Sequence, residues 1–129
     1  MKIDLHTHTT ASDGQYMPCE LVNMAADAGV EYLSVTDHDT TGAIEQARKA
    51  AHERGIVFIP GIEISSSSEC GDIHILGYGI DEKNPVLEQL CSRLKKDRDV
   101  RKFRILEYLR EKNIDLLLEN VEKFAPQTL

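Results

Sequence analysis

The feature that most constrains the fold of this chain is a strand, loop and helix order that occurs twice in succession. KIDL at residues 2–5 predicts a short strand, and it runs into HTHTTASDG, whose Thr, Ser, Asp and Gly content predicts a loop. Pro18 suits the first turn of a helix, and Leu21, Val22, Met24, Ala25 and Ala28 give that helix an apolar stripe that Gly29 ends. The order then repeats as VEYLSV (30–35), TDHDTTG and AIEQARKAAHER (43–54), with Gly55 as the stop. Two strands joined through a helix return parallel, because parallel pairing needs a crossover. The expectation is therefore an α/β chain, with a parallel sheet and helices packed outside it.

Beyond Gly55, IVFIPGIEIS (56–65) predicts a third strand, SSSSECGD a polar surface turn, and DIHILGYGI (72–80) a strand forming a hairpin with the third. Asn84 as N-cap followed by Pro85 starts a long helix that reaches about Lys112, and LLLENVEKFA predicts a last short helix. The division is thus residues 1–83, strand-bearing, and 84–129, helical. A chain of 129 residues holds one core. It has no apolar run long enough to span a bilayer, and MKIDLHTH is too polar for a signal peptide, so a cytoplasmic protein without membrane attachment is expected. Cys19, Cys70 and Cys91 are far apart and form no C-x-x-C pair, which argues against a disulfide framework or thiolate zinc site. A net charge of -7 argues against a broad nucleic-acid surface, although nine of the 15 basic residues fall between Arg93 and Lys112.

The chemistry-bearing residues fall where ligands bind in such folds, beyond the carboxyl ends of the strands. His6 and His8 follow the first strand, Asp37, His38 and Asp39 the second, and Glu63 lies near the end of the third. Residues two apart in an extended segment share a side, so His6 and His8 can present two imidazoles to one ion while Thr7 faces away. Asp13, Glu63 and His74 add further donors; the fifth histidine, His52 in AAHER, falls on a solvated helix face and receives no role. Taken singly, Asp37 and Asp39 would serve as caps ahead of TTGAIEQA. Glu63 in an apolar strand is different, since an unpartnered buried carboxylate costs several kcal/mol and a nearby cation removes that cost. Together the set points to a metal cluster of two or three divalent ions, and imidazole and carboxylate without thiolate suit Zn, Mn or Fe. Such a cluster makes hydroxide from water and neutralises charge on phosphoryl oxygens, so hydrolysis of a phosphate ester by metal-activated hydroxide is the natural chemistry.

DLHTHTTASDG, TDHDT, GIE and IHILGY resemble the successive N-terminal motifs of the PHP family, the polymerase and histidinol phosphatase domain, and within it the small stand-alone phosphoesterases. The resemblance covers residues 3 to about 80. It implies that His6, His8 and Glu63 hold one metal, Glu63 and His74 a second, and Asp13 with His38 a third, with catalytic duties near Asp37 and His38 and Asp37 orienting the ligands. It further implies a distorted seven-stranded β/α barrel, and substrates that are nucleotides, bisphosphates or short oligonucleotides. Two departures stand out. Met17 takes the cap position where the family often has Ser or Thr, which should weaken the first helix's start. Only about four strands are present, and no histidine follows His74, so the chain is expected to be the N-terminal portion of a longer protein. Its open sheet edges then need cover, from downstream chain or from a second copy in a homo-oligomer, and the fragment alone should have weak activity.

On the long helix, Leu87, Leu90, Cys91 and Leu94 mark an inward stripe whose continuation passes through Arg98 and Arg101 before Ile105. Either the two arginines pair with acids such as Asp97 and Asp99, or the helix begins an inserted cap and their guanidinium groups bind substrate phosphate. Two rival functions remain: a non-catalytic PHP module acting as metal-stabilised scaffold or partner-binding domain, and a carbon-nitrogen hydrolase of the barrel type.

Overall fold

The computed structural model describes residues 1–69 and 71–123. Its elements run β1 (Ile3–Thr7), α1 (Pro18–Asp27), β2 (Tyr32–Val35), α2 (Ile44–Arg54), β3 (Val57–Phe58), β4 (Gly61–Ser68), β5 (Gly71–Tyr78), α3 (Pro85–Glu111) and α4 (Leu118–Glu122). The first three strands form a parallel sheet in the order β1-β2-β3, with Ile3 opposite Tyr32 and Leu33 opposite Phe58. The α/β expectation with a parallel sheet is met. On one face of β2, Leu33 and Val35 pack with Val22 of α1 and with Ala47, Ala50 and Ala51 of α2, all buried. Three alanines on one helix face leave room for α1 to approach α2 closely, so the two helices cover the same side of the sheet.

Three expectations are corrected in this part of the chain. The third strand is not continuous: it divides at Ile59-Pro60, where proline offers no N–H to the ladder. Its first piece pairs with β2 and its second, β4, turns to pair antiparallel with β5. Glu63 therefore lies early in β4, not at the end of a strand. The serine tract is not a surface turn either. Ser65 to Ser68 continue β4 and face His74, Ile73, Asp72 and Gly71 in register, because the cross-strand ladder outweighs the weak preference of serine for strands. Strand β4 thus reaches Ser68 and β5 begins at Gly71; Cys70 lies outside the described residues. Finally, β1 extends two residues further than expected and takes in His6.

The start of α1 is not left uncapped by Met17. The Glu20 carboxylate accepts the Met17 backbone N–H at 2.9 Å, which supplies half of a capping box from within the helix. Asn84 caps α3 as expected, its Oδ1 accepting the Val86 N–H at 2.9 Å. The inward stripe of α3 differs from the expected one beyond Leu94. The half-buried positions are Leu87, Leu90, Cys91, Leu94, Arg98, Asp99, Lys102, Leu106 and Leu109, whereas Arg101 and Ile105 are exposed. A step of four between turns, repeated from Leu94 to Leu106, moves the stripe past Arg101. No helix of the described residues is long and apolar enough to cross a membrane. The short helix expected over 116–125 is found as α4, and residues beyond 123 lie outside the description.

Gly61 is where β4 passes the polar side of β2. A Cβ there would stand 2.4 Å from Ser34 Oγ and 2.8 Å from Thr36 Cγ2, and both of those residues are fully buried. Gly61→Ala is expected to lower the unfolding free energy by roughly 1–3 kcal/mol, as overpacking does. Ser34 Oγ has no hydrogen-bond partner among the described residues, so Ser34→Ala should recover part of that loss in the double variant. Urea titrations of the three proteins check this; an unchanged midpoint for Gly61→Ala would show that β4 does not pass β2 so closely.

Candidate metal centre

The site is assembled by backbone pairing before any side chain takes part. Beyond β2 the chain runs on beside β4 as far as His38: the Glu63 N–H donates to the Asp37 carbonyl at 3.2 Å and the Asp39 N–H to the Glu63 carbonyl at 2.9 Å. His38 and Glu63 thereby form a parallel bridge. On β1, the Thr7 hydroxyl donates to the Ser34 carbonyl at 2.8 Å, so Thr7 points toward β2. The alternation of a strand then sends His6 and His8 together to the other side. His74 reaches the same place from β5, where it lies opposite Ser65 and diagonally across from Glu63.

Glu63 is the hub. Its carboxylate is buried, with a relative exposure of 3%. Oε2 lies 3.0 Å from His6 Nε2, 3.2 Å from His8 Nε2 and 3.6 Å from His38 Nε2, while Oε1 lies 2.8 Å from His74 Nδ1. Asp13 adds a second carboxylate, 3.2 Å from His8 Nδ1 and 3.6 Å from His38 Nε2. The imidazoles of His8 and His38 stack at 4.8 Å between centroids, and His74 meets His38 edge-on at the same distance. Three overlapping sets result, His6/His8/Glu63, His8/Asp13/His38 and His38/Glu63/His74, each with donor atoms within 4.8 Å of one another. All six residues expected to bind metal are thus brought together. His6 and His74 are exposed, which leaves two sides of the cluster open.

The donor set fits divalent cations. His8 Nδ1 is a buried atom 3.2 Å from Asp13 Oδ1, yet no hydrogen bond forms there. A cation shared with Asp13 would give that buried nitrogen the partner it lacks. The N and O donors, with no thiolate among them, match the borderline-hard first-row metals.

Burial acts to raise the Glu63 pKa, but the His6 hydrogen bond and the charges of His38, His6 and His8 outweigh it and hold the carboxyl below its ordinary value. His38 is lowered from the usual histidine value, chiefly by burial, against the opposing pull of Glu63 and Asp13. It is therefore neutral, and competent to donate a lone pair, at a pH where an exposed histidine would begin to gain a proton.

Asp37 does not join the gathered donors. Its carboxylate is buried and filled by the Thr9 N–H, the Thr9 hydroxyl and the Ser12 hydroxyl, each at 2.7 Å. Those bonds pin the loop between His8 and Asp13, so Asp37 sets the position of two cluster residues from behind. Neither Asp37 nor Asp39 caps α2, and the capping alternative falls away. Sequence reasoning passed over Thr9 and Ser12, whose only signal is that they flank the cluster residues in a loop rich in hydroxyls. Beyond the cluster, an open cleft of about 780 Å³ separates the hairpin from α3, with His38, His74 and Asp13 on one wall and Arg93, Arg98, Arg101 and Lys102 on the other. Arg98 pairs with Asp39 at 2.5 Å and not with an acid of its own helix, while Arg101 stands exposed at the rim.

Comparison with known proteins gives a consistent result. The family model described as PHP domain matches residues 4–125. The chain is 40% identical over 124 residues to the 5'-3' exoribonuclease Rnm of Escherichia coli, a match covering 95% of this chain and 42% of that protein. It is 45% identical over 85 residues to a 3',5'-nucleoside bisphosphate phosphatase of Chromobacterium violaceum, covering 66% of this chain and 30% of that one. A solved structure of an amidohydrolase from Chromobacterium violaceum, with bound sulfate and no metal, superposes with a TM-score of 0.82 at 37% identity, over 87% of this chain and 39% of that one. The chain therefore spans less than half the length of these relatives.

The two lowered pKa values fix a sign for the metal-free protein. A group harder to protonate in the folded than in the unfolded state contributes stability above its unfolded pKa and loses it as the pH falls. For His38 the loss begins as the pH drops below about 6.5, and for Glu63 below about 4.5. Denaturant midpoints should therefore fall on acidification from pH 7.5, and His38→Gln should flatten the upper part of the decline. A midpoint that rises on acidification through pH 6 would contradict the burial of His38.

Proposed function

The chain belongs to the PHP domain family, and from that premise we propose that it carries the metal-binding half of a phosphoesterase acting on nucleotides or short oligonucleotides. The observation that carries this reading is the buried Glu63 carboxylate held among four imidazoles, with Asp13 completing the set. In this reading His6, His8 and Glu63 hold one divalent ion, Glu63 with His74 a second, and Asp13 with His38 a third, the metals being Zn, Mn or Fe. Bound there, such ions supply Lewis acidity and lower the pKa of water. The chain's own residues do the rest. Glu63 fixes the spacing of the imidazoles, burial keeps His38 unprotonated, and Asp37 keeps His8 and Asp13 from drifting by tying down the loop between them.

The substrate class is supported by two kinds of observation. The relatives named above act, by their names, on RNA and on nucleoside bisphosphates, and the related Chromobacterium structure holds a sulfate, a tetrahedral dianion like phosphate. In this chain the cleft wall across from the cluster carries four basic residues, among them Arg98 and Arg101, which we assign to substrate phosphate. That wall belongs to α3, which on this reading begins a cap over the metal centre, and further strands close the sheet into a barrel around it. The open edges of β1 and β5 would be covered by those strands or by a second copy of the chain.

A non-catalytic, metal-stabilised module is the second reading, since the gathered donors could also serve to tie β1, β4 and β5 together through bound metal. The two separate on one experiment. His8→Ala removes a donor from two of the three sets, so bound metal per chain, read by elemental analysis, should fall by at least one equivalent. Equal metal in both proteins would refute the ligand assignment. If metal is bound as expected, release of phosphate from a nucleoside bisphosphate supports the enzyme, and none at any metal content supports the module.

A further inference from the structure

Asp39 has no part in the metal sets, yet it is among the most constrained residues of the chain. Its backbone is in the left-handed region, with φ of 56°, which few residues other than glycine adopt. Its side chain is buried, with 6% relative exposure. One carboxylate oxygen accepts the Ser65 N–H at 2.7 Å; the other is 2.5 Å from Arg98 Nη2, which also lies 3.4 Å from the Ser65 hydroxyl. Its own N–H holds the Glu63 carbonyl. A single residue thus touches the strand that carries the hub carboxylate at two points, the Glu63 carbonyl and the Ser65 N–H, and a helix residue 59 positions away in sequence.

The other basic residues of the cleft are not held in this way. Lys102 pairs within its own helix, with Asp99 at 3.0 Å. Arg93 and Arg101 make no ion pair among the described residues. Arg98 alone of the four is anchored to the strand side of the cleft, and only through Nη2. A guanidinium is a planar fork with five donors; Asp39 and Ser65 meet only Nη2, so the N–H groups of Nη1 and Nε stay available while Asp39 fixes the plane. Lysine in that place would keep the ion pair, but its donors all sit on the one nitrogen that meets Asp39 and none stands apart from it.

We propose that Asp39 is a positioning residue, which docks α3 across the cleft through Arg98 and aims the remaining N–H donors of that guanidinium at the phosphate of the substrate. The proposal rests on the phosphoesterase reading above and deepens it: the half-buried pair sets the width of the cleft, and so the distance between the phosphate grip and the metal cluster. Arg98 is then a bridge between a fixed carboxylate and a transient phosphate, whereas Arg101 at the rim meets the anion without such restraint.

The test compares Asp39→Asn, Arg98→Gln, Arg98→Lys and the Asp39→Asn/Arg98→Gln double variant with the unaltered protein, all metal-loaded. Three quantities are read: metal per chain, the Kd for inorganic phosphate by calorimetry, and KM and kcat for a nucleoside bisphosphate. Arg98→Gln is expected to weaken phosphate binding and raise KM about tenfold, the scale of one charge-assisted hydrogen bond, with metal content and kcat nearly unchanged. Asp39→Asn should produce the same shift, and the double variant no more than either single one, since both break the same bridge. Arg98→Lys should keep the urea midpoint of the unaltered protein yet lose phosphate affinity, which a purely structural latch would not do. Asp39→Asn with unchanged phosphate affinity, or Arg98→Lys binding phosphate as tightly as arginine, overturns the proposal while leaving the phosphoesterase reading intact. Failure of the unaltered metal-loaded protein to bind phosphate overturns both. Where Asp39→Asn does not fold, the Arg98→Lys comparison decides.

Discussion

The arrangement of this chain depends on one buried carboxylate. Glu63 is taken out of water, where a lone carboxylate is costly, and is surrounded by His6, His8, His38 and His74 at 2.8 to 3.6 Å. Three of these nitrogens crowd Oε2 alone, which has only two lone-pair sites to offer hydrogen-bond donors. Shared cations would account for the surplus, with the imidazoles offering lone pairs and the carboxylate a charge common to the sets.

Backbone geometry makes that convergence possible. The segment after β2 runs on beside β4, so Glu63 is fixed by two main-chain hydrogen bonds before its side chain meets anything. The turn at Ile59-Pro60 lets one run of sequence serve two sheets, with β3 closing the parallel sheet and β4 opening the hairpin that brings His74. Around the cluster two further aspartates act at one remove. Asp37 ties down the loop of His8 and Asp13, and Asp39 reaches out to α3. Each occupies the odd position of T-D-H-D, flanking the histidine whose side chain points the other way.

Much of this was legible in the residues. The repeated strand, loop and helix order, with glycines at the stops, is local chemistry, and it led to the parallel sheet and its two helices. The six clustered residues were legible because polar donors after apolar strands have few other uses, and the family resemblance of His6, His8 and Glu63 is met by the PHP domain match over residues 4–125. What was not legible depended on contacts distant in sequence. Ser65 to Ser68 read as a turn, yet they are strand because β5 supplies the partner. Arg98 and Arg101 read as equivalent on a helical stripe; they differ because Asp39, far back in the chain, takes hold of one of them. Nothing near Met17 shows that Glu20 will cap the helix except the spacing of three, which was passed over.

The central claim, that Glu63 is a shared metal bridge and not a hydrogen-bond acceptor for four histidines, is tested most directly by anomalous diffraction from crystals of the protein loaded with manganese or zinc. The account predicts ions at coordination distance, about 2.0–2.3 Å, from the Glu63 carboxylate oxygens, with His6, His8 or His74 nitrogens in the same shell. Metal found only away from Glu63, or histidine nitrogens still hydrogen-bonded to its carboxylate in metal-loaded crystals, would contradict it.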